Sequence, residues 1–312
     1  MGSITTIYYK KLLNNTDQKI YDDLMYKIMH YNPKIQINKP DCNLRDLITY
    51  IQNDIPLIFY MDYYASIPYF VSFTGMNLKI KYLFPKDEVK QLLDDCYKWG
   101  NYLINKMPAN MSVQQQALWL HDVIIENVQY GNIDSFRAHS VIGVIKDKIA
   151  VCEGIARTYK FLCDMAGIPC IYLSGTLNGE PHGWNMIWAA GGTSFVDVTN
   201  DLKNGNSEST RRNFMRSSNE MHGYTWDGNI IPECNIRNKS DISVTVHDKK
   251  EIISHIRNIP KNGSISLFLD FGYKLSQNDM KKIINEIIFS QISFFNKEVS
   301  YSVEMQTIYI KG

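Results

Sequence analysis

The stretch from Ala150 to Gly167 limits the possible folds most, because it carries a helical pattern with a cysteine at its front edge. One stripe of a 3.6-residue period is formed by residues spaced four, three, four and three apart: Cys152, Ala156, Tyr159, Cys163 and Ala166. Gly167 and the following Pro169 supply a helix stop. We therefore predict a helix that buries one face and begins with a thiol.

The segment after this helix reads as three short strands joined by tight turns. Cys170–Gly175, His182–Trp188 and Thr193–Val198 have strand character, and Asn178-Gly179 is a strong hairpin signal. Gly191-Gly192 marks the second turn. A helix followed by an antiparallel sheet predicts an α+β fold in this part of the chain.

The position of Cys152 has two interpretations. Unpaired amides and the helix dipole stabilise an anion at a helix N-terminus, and a thiolate is such an anion. Alternatively, Cys152 is a small apolar residue at the end of the buried stripe, as free cysteines usually are. A base downstream in the sequence would favour the first interpretation.

His182 and Asp197 supply a candidate base and its partner on adjacent strands. A two-residue loop at Ala189-Ala190 would place His182 directly opposite Asp197. A four-residue loop at 189–192 would instead place Trp184 opposite Asp197, with His182 as its diagonal neighbour. Both registers leave the imidazole and the carboxylate on one face, where the carboxylate can orient the ring toward a nucleophile. We therefore favour a Cys152, His182, Asp197 triad.

Composition excludes several other classes of protein. The 312 residues contain 33 Lys and Arg against 32 Asp and Glu, without a basic stripe, so we expect no nucleic-acid partner. No apolar run is long enough for a membrane span. The six cysteines form no CxxC pair, and the seven histidines form no HxxxH pattern, so we expect neither structural zinc nor a disulfide framework. We also expect no cofactor. We interpret Cys163 and Cys170 as core thiols, and His121 as a packed or surface histidine.

The sequence leaves the compartment and the oligomeric state open. Met1–Lys10 lacks the basic and then apolar order of a secretory signal peptide. The protein is expected in the cytoplasm, or outside the cell if an export signal preceded this sequence.

The flanking regions suggest three domains. Residues 1–107 carry helical patterns interrupted by a hairpin signal at Thr74-Gly75 and form an N-terminal mixed α/β region. Residues 108–238 would form the core with the three candidate residues, opened by a capping box at Ser112–Gln115. The segment from about Asn206 to Cys234 reads as a surface loop. Residues 239–312 alternate strands and helices and form a small C-terminal α/β module.

Three separated motifs, in order, resemble the transglutaminase-like superfamily. They are Val151-Cys-Glu-Gly-Ile-Ala156, Pro181-His-Gly-Trp-Asn-Met-Ile187 and Val196-Asp-Val-Thr199. The resemblance covers roughly Ser112 to Trp226. It implies a papain-like core in which a catalytic helix packs on an antiparallel sheet. Members often carry a Tyr-Gly pair before the cysteine, and this chain departs from that pattern with Ile142-Gly143.

The resemblance implies that Cys152 attacks a carboxamide, that His182 shuttles the proton and that Asp197 holds the imidazole. Its substrate would be a protein or peptide, and the thioester would react with water or with an amine. The Cys152 amide is a natural oxyanion donor. Three candidates for a second donor are His139, Ser140 and Tyr130. No acidic calcium loop is present, which disfavours a calcium-switched transglutaminase. The alternative is a non-catalytic peptide-binding module that uses the same cleft.

Overall fold

The computed structural model describes residues 5–62, 65–131, 135–202, 211–237, 241–257, 264–288, 298–303 and 307–311. Within these ranges the chain is α+β, as predicted, and a central antiparallel sheet packs against a buried helix. Residues 206–210 of the predicted loop lie outside the described residues. Within the described part, no helix has the length and apolar character needed to cross a membrane.

The N-terminal region combines three helices with a small sheet. Its elements are α1 (Asn15–Met29), β1 (Lys34–Asn38), α2 (Leu44–Asp54), β2 (Ile67–Val71), β3 (Gly75–Lys79) and α3 (Lys86–Lys106). The side chains of Asn14 and Asn43 accept hydrogen bonds from first-turn amides, so each caps its helix. The hairpin predicted at Thr74-Gly75 is present, and β3 pairs with both β1 and β2. Strand β1 was missing from the sequence prediction.

The middle of the chain contains the helix and sheet expected from the sequence. Its elements are α4 (Val113–Asn127), β4 (Gln129–Tyr130), α5 (Ser135–Ala138), β5 (Ile149–Ala150), α6 (Cys152–Ala166), β6 (Cys170–Leu177), β7 (Glu180–Ala189), β8 (Gly192–Val196), β9 (Phe214–Arg216) and β10 (Tyr224–Thr225). Five strands form the central sheet in the order β10, β6, β7, β8, β9, all antiparallel. The capping box at Ser112 is present at the start of α4.

The β7–β8 register is the second of the two predicted. Asn185 pairs with Val196, and the same register puts position 184 across from position 197. Pairing continues to Ala189 and Gly192, so the turn itself contains only Ala190 and Gly191. Both turn residues have positive φ, 54° and 86°, which suits the twist of a two-residue hairpin.

Helix α6 is buried on nearly every side rather than along one stripe. Residues 154–164 are buried except for one intermediate position, and Cys163 is fully buried as expected. Lys160 is also fully buried, and its ammonium group donates to Asp164 at 2.9 Å. The predicted stripe is only part of the buried surface of α6, because α4 and the chain near Thr6 cover the rest of the helix.

The second face of the central sheet is covered by residues that were predicted to be a surface loop. Met221, Tyr224, Ile231 and Cys234 are buried in one apolar cluster with sheet residues such as Trp184. The surface-loop prediction is therefore wrong for this part, since these scattered apolar residues have no regular period but share one buried cluster. Strands β9 and β10 also lie within the segment that was predicted to be a loop.

The C-terminal residues form a separate four-stranded sheet. Its elements are β11 (Asp241–Val246), α7 (Lys249–Arg257), β12 (Ser264–Leu269), α8 (Gln277–Ile283), β13 (Glu298–Ser302) and β14 (Thr307–Lys311). The strand order is β11, β12, β14, β13, and only the β11–β12 pair is parallel. Apolar residues of this sheet and its helices form their own cluster, which includes Ile252, Leu267 and Ile308.

Candidate active site

Cys152 is the first residue of α6 and is half-buried. Val151 precedes the helix in an extended conformation and provides no side-chain cap. The first-turn amides therefore lack the side-chain acceptor that caps α1, α2 and α4. The loop before the helix lies very close to it, since a Cβ at Gly154 would sit 2.3 Å from the carbonyl oxygen of Ala138. Only glycine fits there, and this contact fixes the entry of the chain into α6.

His182 and Asp197 form a direct contact across β7 and the end of β8. Nε2 of His182 lies 2.7 Å from Oδ2 of Asp197, and the two side chains are 9% and 1% exposed. The Cys152 thiol also acts on the imidazole, since it is among the groups that raise the pKa of His182. The structure therefore places the imidazole directly against the carboxylate and the thiol within electrostatic reach of the imidazole.

Asp197 has three further hydrogen bonds that the sequence did not reveal. The Tyr224 hydroxyl donates to Oδ2 at 2.7 Å, and the side-chain amide of Asn200 donates to the same oxygen at 2.8 Å. The Asn200 backbone N–H donates to Oδ1 at 3.2 Å. Asn200 could have been found, because an Asp followed three residues later by Asn is typical of a side-chain-stabilised turn. Tyr224 left no comparable local signal.

His182 and Asp197 each stabilise the charged form of the other, although both are buried. Burial by itself lowers the pKa of His182, but the charge and hydrogen bond of Asp197, together with Cys152, raise it to about 10. Burial by itself raises the pKa of Asp197, but His182 and the hydrogen bonds from Tyr224 and Asn200 lower it below its ordinary value. The site therefore holds an imidazolium next to a carboxylate at neutral pH.

Aromatic rings hold the imidazole in place. The ring of Trp184 stacks on that of His182 with centroids 6.0 Å apart and an interplanar angle of 18°. Tyr224 meets the imidazole edge-on at 5.9 Å. Trp184 is fully buried, so these contacts leave the imidazole little freedom to rotate.

The three candidates for a second oxyanion donor occupy different environments. The Ser140 hydroxyl donates to the carbonyl of Arg137, and the His139 ring contacts the carboxylate of Glu153 at 2.8 Å. Tyr130 is 54% exposed. Burial raises its pKa, and Cys152 and Asp197 raise it further. Ile142, at the position of the family's tyrosine, is fully buried.

A cavity of about 590 Å³ lies on the side of α2 and α5, and none of Cys152, His182 and Asp197 is among its lining residues. Glu153, directly after the thiol in sequence, lines it together with Arg157, Phe136 and Tyr172. Arg157 donates to Glu153 at 3.0 Å, and its guanidinium lies 4.3 Å from the centre of the Tyr172 ring. Burial raises the pKa of Glu153, but Arg157 and His139 outweigh it and lower the pKa to about 2. The charges in this cavity are largely compensated.

The remaining predicted residues lie in the core. Cys170 is fully buried on β6, as expected for a core thiol. His121 is packed, not on the surface, and lies between Asp122 and Asp201. No group of three or more metal-ligating side chains occurs among the residues that the structure describes.

Comparison with known proteins agrees with the motifs. Residues 102–199 match the model of the transglutaminase-like superfamily. The match begins earlier than the predicted resemblance and ends at Thr199, before Tyr224. No curated protein matches the chain significantly.

Several solved structures resemble parts of the chain at low sequence identity. A structure called a TGase has 11% identity and a TM-score of 0.33, over 68% of this chain and 59% of its own. A proposed cysteine protease from Cytophaga hutchinsonii has 17% identity and a TM-score of 0.31, over 53% and 61%. A proposed protease from Parabacteroides distasonis ATCC 8503 has 10% identity and a TM-score of 0.30, over 80% and 60%. The chain spans about three fifths of each of these proteins.

Proposed function

Because residues 102–199 carry a core of the transglutaminase-like superfamily, we propose that the protein is a cysteine-dependent amide hydrolase or acyltransferase. One observation supports this most: His182 contacts Asp197 at 2.7 Å, and the thiol of Cys152, which begins a helix, is among the groups that raise the pKa of His182. A histidine packed only for stability would not need both a thiol and a carboxylate beside its ring.

The arrangement supports a two-step reaction on a peptide or glutamine carboxamide. Sγ of Cys152 attacks the carbonyl carbon, and the imidazolium of His182 gives its Nδ1 proton to the departing nitrogen as the C–N bond breaks. The Cys152 amide, in a helix turn whose amides lack internal partners, donates to the oxyanion. A thioester remains on Sγ.

The second step restores the thiol. His182 removes a proton from water or from a primary amine, which attacks the thioester carbonyl. The C–S bond breaks, and the products are a carboxylic acid or a new amide. Asp197 stabilises the imidazolium formed in this step.

The test is trapping and product analysis on the whole protein. Wild type is incubated with a glutamine-containing peptide library, with and without a labelled primary amine, and acyl-enzyme and products are read by mass spectrometry. We expect a mass adduct on Cys152 that is absent from C152A. The matched control is C42A, which removes another half-buried thiol. Free acid indicates hydrolysis and labelled peptide indicates transfer.

Two results would contradict the proposal. If no peptide acylates Cys152 and a peptide electrophile also fails to label it, the cleft is not a thiol active site. If peptides bind with equal affinity to wild type and C152A but neither changes them, the protein is a peptide-binding module.

A further inference from the structure

His121 is a buried titratable residue that the proposed reaction does not use. It lies on α4 and is fully buried. Nδ1 lies 3.1 Å from Oδ1 of Asp122, and Nε2 lies 3.1 Å from Oδ2 of Asp201. A neutral imidazole has only one N–H, so two carboxylate contacts require both nitrogens to donate. The geometry thus identifies His121 as an imidazolium.

The charges around His121 are balanced by one further cation. Nε of Arg211 donates to Oδ1 of Asp122 at 3.1 Å. The other neighbour is the ring of Phe214, which meets the imidazole at 5.6 Å and 64°. Two carboxylates and two cations therefore form one cluster, and loss of either cation would leave a charge in excess.

Asp201 connects this cluster to the turn that carries the acid of the triad. It accepts the backbone N–H of Asn213 at 2.9 Å and the Asn213 side-chain amide at 3.0 Å. The carbonyl of Asn213 in turn accepts the N–H of Asp197 at 2.9 Å. Asp201 also ends the short helical turn that contains Asn200, a donor to Asp197. Asp197 is thus held by a frame that His121 anchors.

Helix α4 also supports the nucleophile. The hydroxyl of Tyr159, on α6, donates to the carbonyl of Ala117, on α4, at 3.0 Å. One helix therefore contacts both the helix that begins with Cys152 and the turn that follows Asp197.

We propose that His121 and Asp201 are positioning residues for Asp197: their buried ion pair fixes the turn 199–201 against α4 and thereby the orientation of the His182 imidazole. The proposal rests on the proposed function, because it assigns a role toward the triad. Its test does not require the protein to turn over a substrate. If the pair is broken, Asn200 and Asp197 lose their support, and the contact between Asp197 and His182 loosens.

The test measures His182 directly in the whole protein. D201N removes one carboxylate and keeps the shape of the side chain, and His121 can then lose its proton, so the net charge of the cluster stays nearly balanced. The pKa of His182 is followed by ring-proton NMR, and alkylation of Cys152 by iodoacetamide is timed at pH 6. We expect the His182 pKa to fall by roughly one unit in D201N and in H121Q. Alkylation of Cys152 should slow in parallel.

The control separates positioning from stability. I124V shortens a fully buried side chain on the same helix and removes no charge or hydrogen bond of the cluster, so it should lower the melting temperature without moving the His182 titration. If H121Q fails to fold, D201N decides alone. Wild-type His182 titration and wild-type alkylation in a folded D201N would overturn the proposal. If D201N moves the titration but no variant acylates a peptide, the proposed function fails and the positioning role stands.

Discussion

Tyr224 donates its hydroxyl to Oδ2 of Asp197 at 2.7 Å, although the two residues lie 27 positions apart in the sequence. The same oxygen accepts from His182 and from Asn200. A carboxylate with this many donors is fixed in orientation and stays ionised in a buried setting. Tyr224 therefore belongs to the candidate site even though it lies outside the matched family segment.

We expect Y224F to lower the rate of Cys152 acylation by roughly tenfold, since a hydrogen bond to a charged group contributes about 1.5–3 kcal/mol. The reason is that Asp197 loses one donor and holds the imidazole less firmly. The matched control is Y9F, because Tyr9 is buried in the same cluster and donates to the carbonyl of Tyr172 at 2.7 Å without touching Asp197. Equal rates for Y224F and wild type would remove Tyr224 from the site.

Local features of the site were predictable, and contacts between distant segments were not. The helix beginning at Cys152 follows from its period and its Gly167 stop, and the β7–β8 register was reduced to two options by the turn residues alone. Which of the two registers forms depends on the turn at Ala190-Gly191 and on the pairing of the strands across the sheet. The local sequence does not contain that pairing. Tyr224 reaches Asp197 only because the chain folds back over the second sheet face.

A second prediction concerns thiol reactivity. Iodoacetamide at pH 6 should modify Cys152 before the other five cysteines, because it is half-buried beside the His182 imidazolium. Burial raises the pKa of Cys96 and Cys234 to about 12, so these remain thiols. Peptide mass spectrometry over time gives the order of modification. H182Q is the control and should delay Cys152, and labelling of Cys152 at the pace of the core thiols would contradict the prediction.

A third prediction concerns stability against pH. The folded-state pKa of His182 is about 10 and its ordinary value is 6.5, so its stabilising effect is complete below pH 6.5 and is lost as pH rises toward 10. The free energy of unfolding of wild type minus that of H182Q should therefore shrink across this window, by up to about 1.4 kcal/mol per pH unit. Urea unfolding at several pH values measures the difference. A difference that is constant or grows with pH would show that the imidazolium is not stabilised by folding.

A fourth prediction concerns the C-terminal module, which we propose begins near residue 239. Residues 241–311 contain a sheet with its own apolar cluster, whereas Tyr224 and Cys234 are buried against the central sheet. Limited proteolysis should therefore cut between Arg237 and Asp241 and release a C-terminal fragment. Mass spectrometry of the fragments locates the cut. Resistance at this junction, while other parts are cleaved, would indicate that the module is integral to the core.

The roles of His182 and Asp197 differ enough to be separated by mutation. H182A should abolish acylation, because it removes the proposed base. The fold should persist, because the substitution leaves Trp184 and the β7 pairing intact. D197N keeps the shape but removes the charge that supports the imidazolium, so the rate should fall on the order of ten- to ten-thousand-fold. The loss should be smaller than in C152A, since the thiol, the imidazole and the oxyanion donors remain.

Acylation of one peptide is timed for each variant, and circular dichroism checks folding. D22N, which changes an exposed aspartate on α1, is the control and should match wild type. Wild-type acylation by D197N would remove Asp197 as the orienting residue, and wild-type acylation by H182A would refute the triad itself.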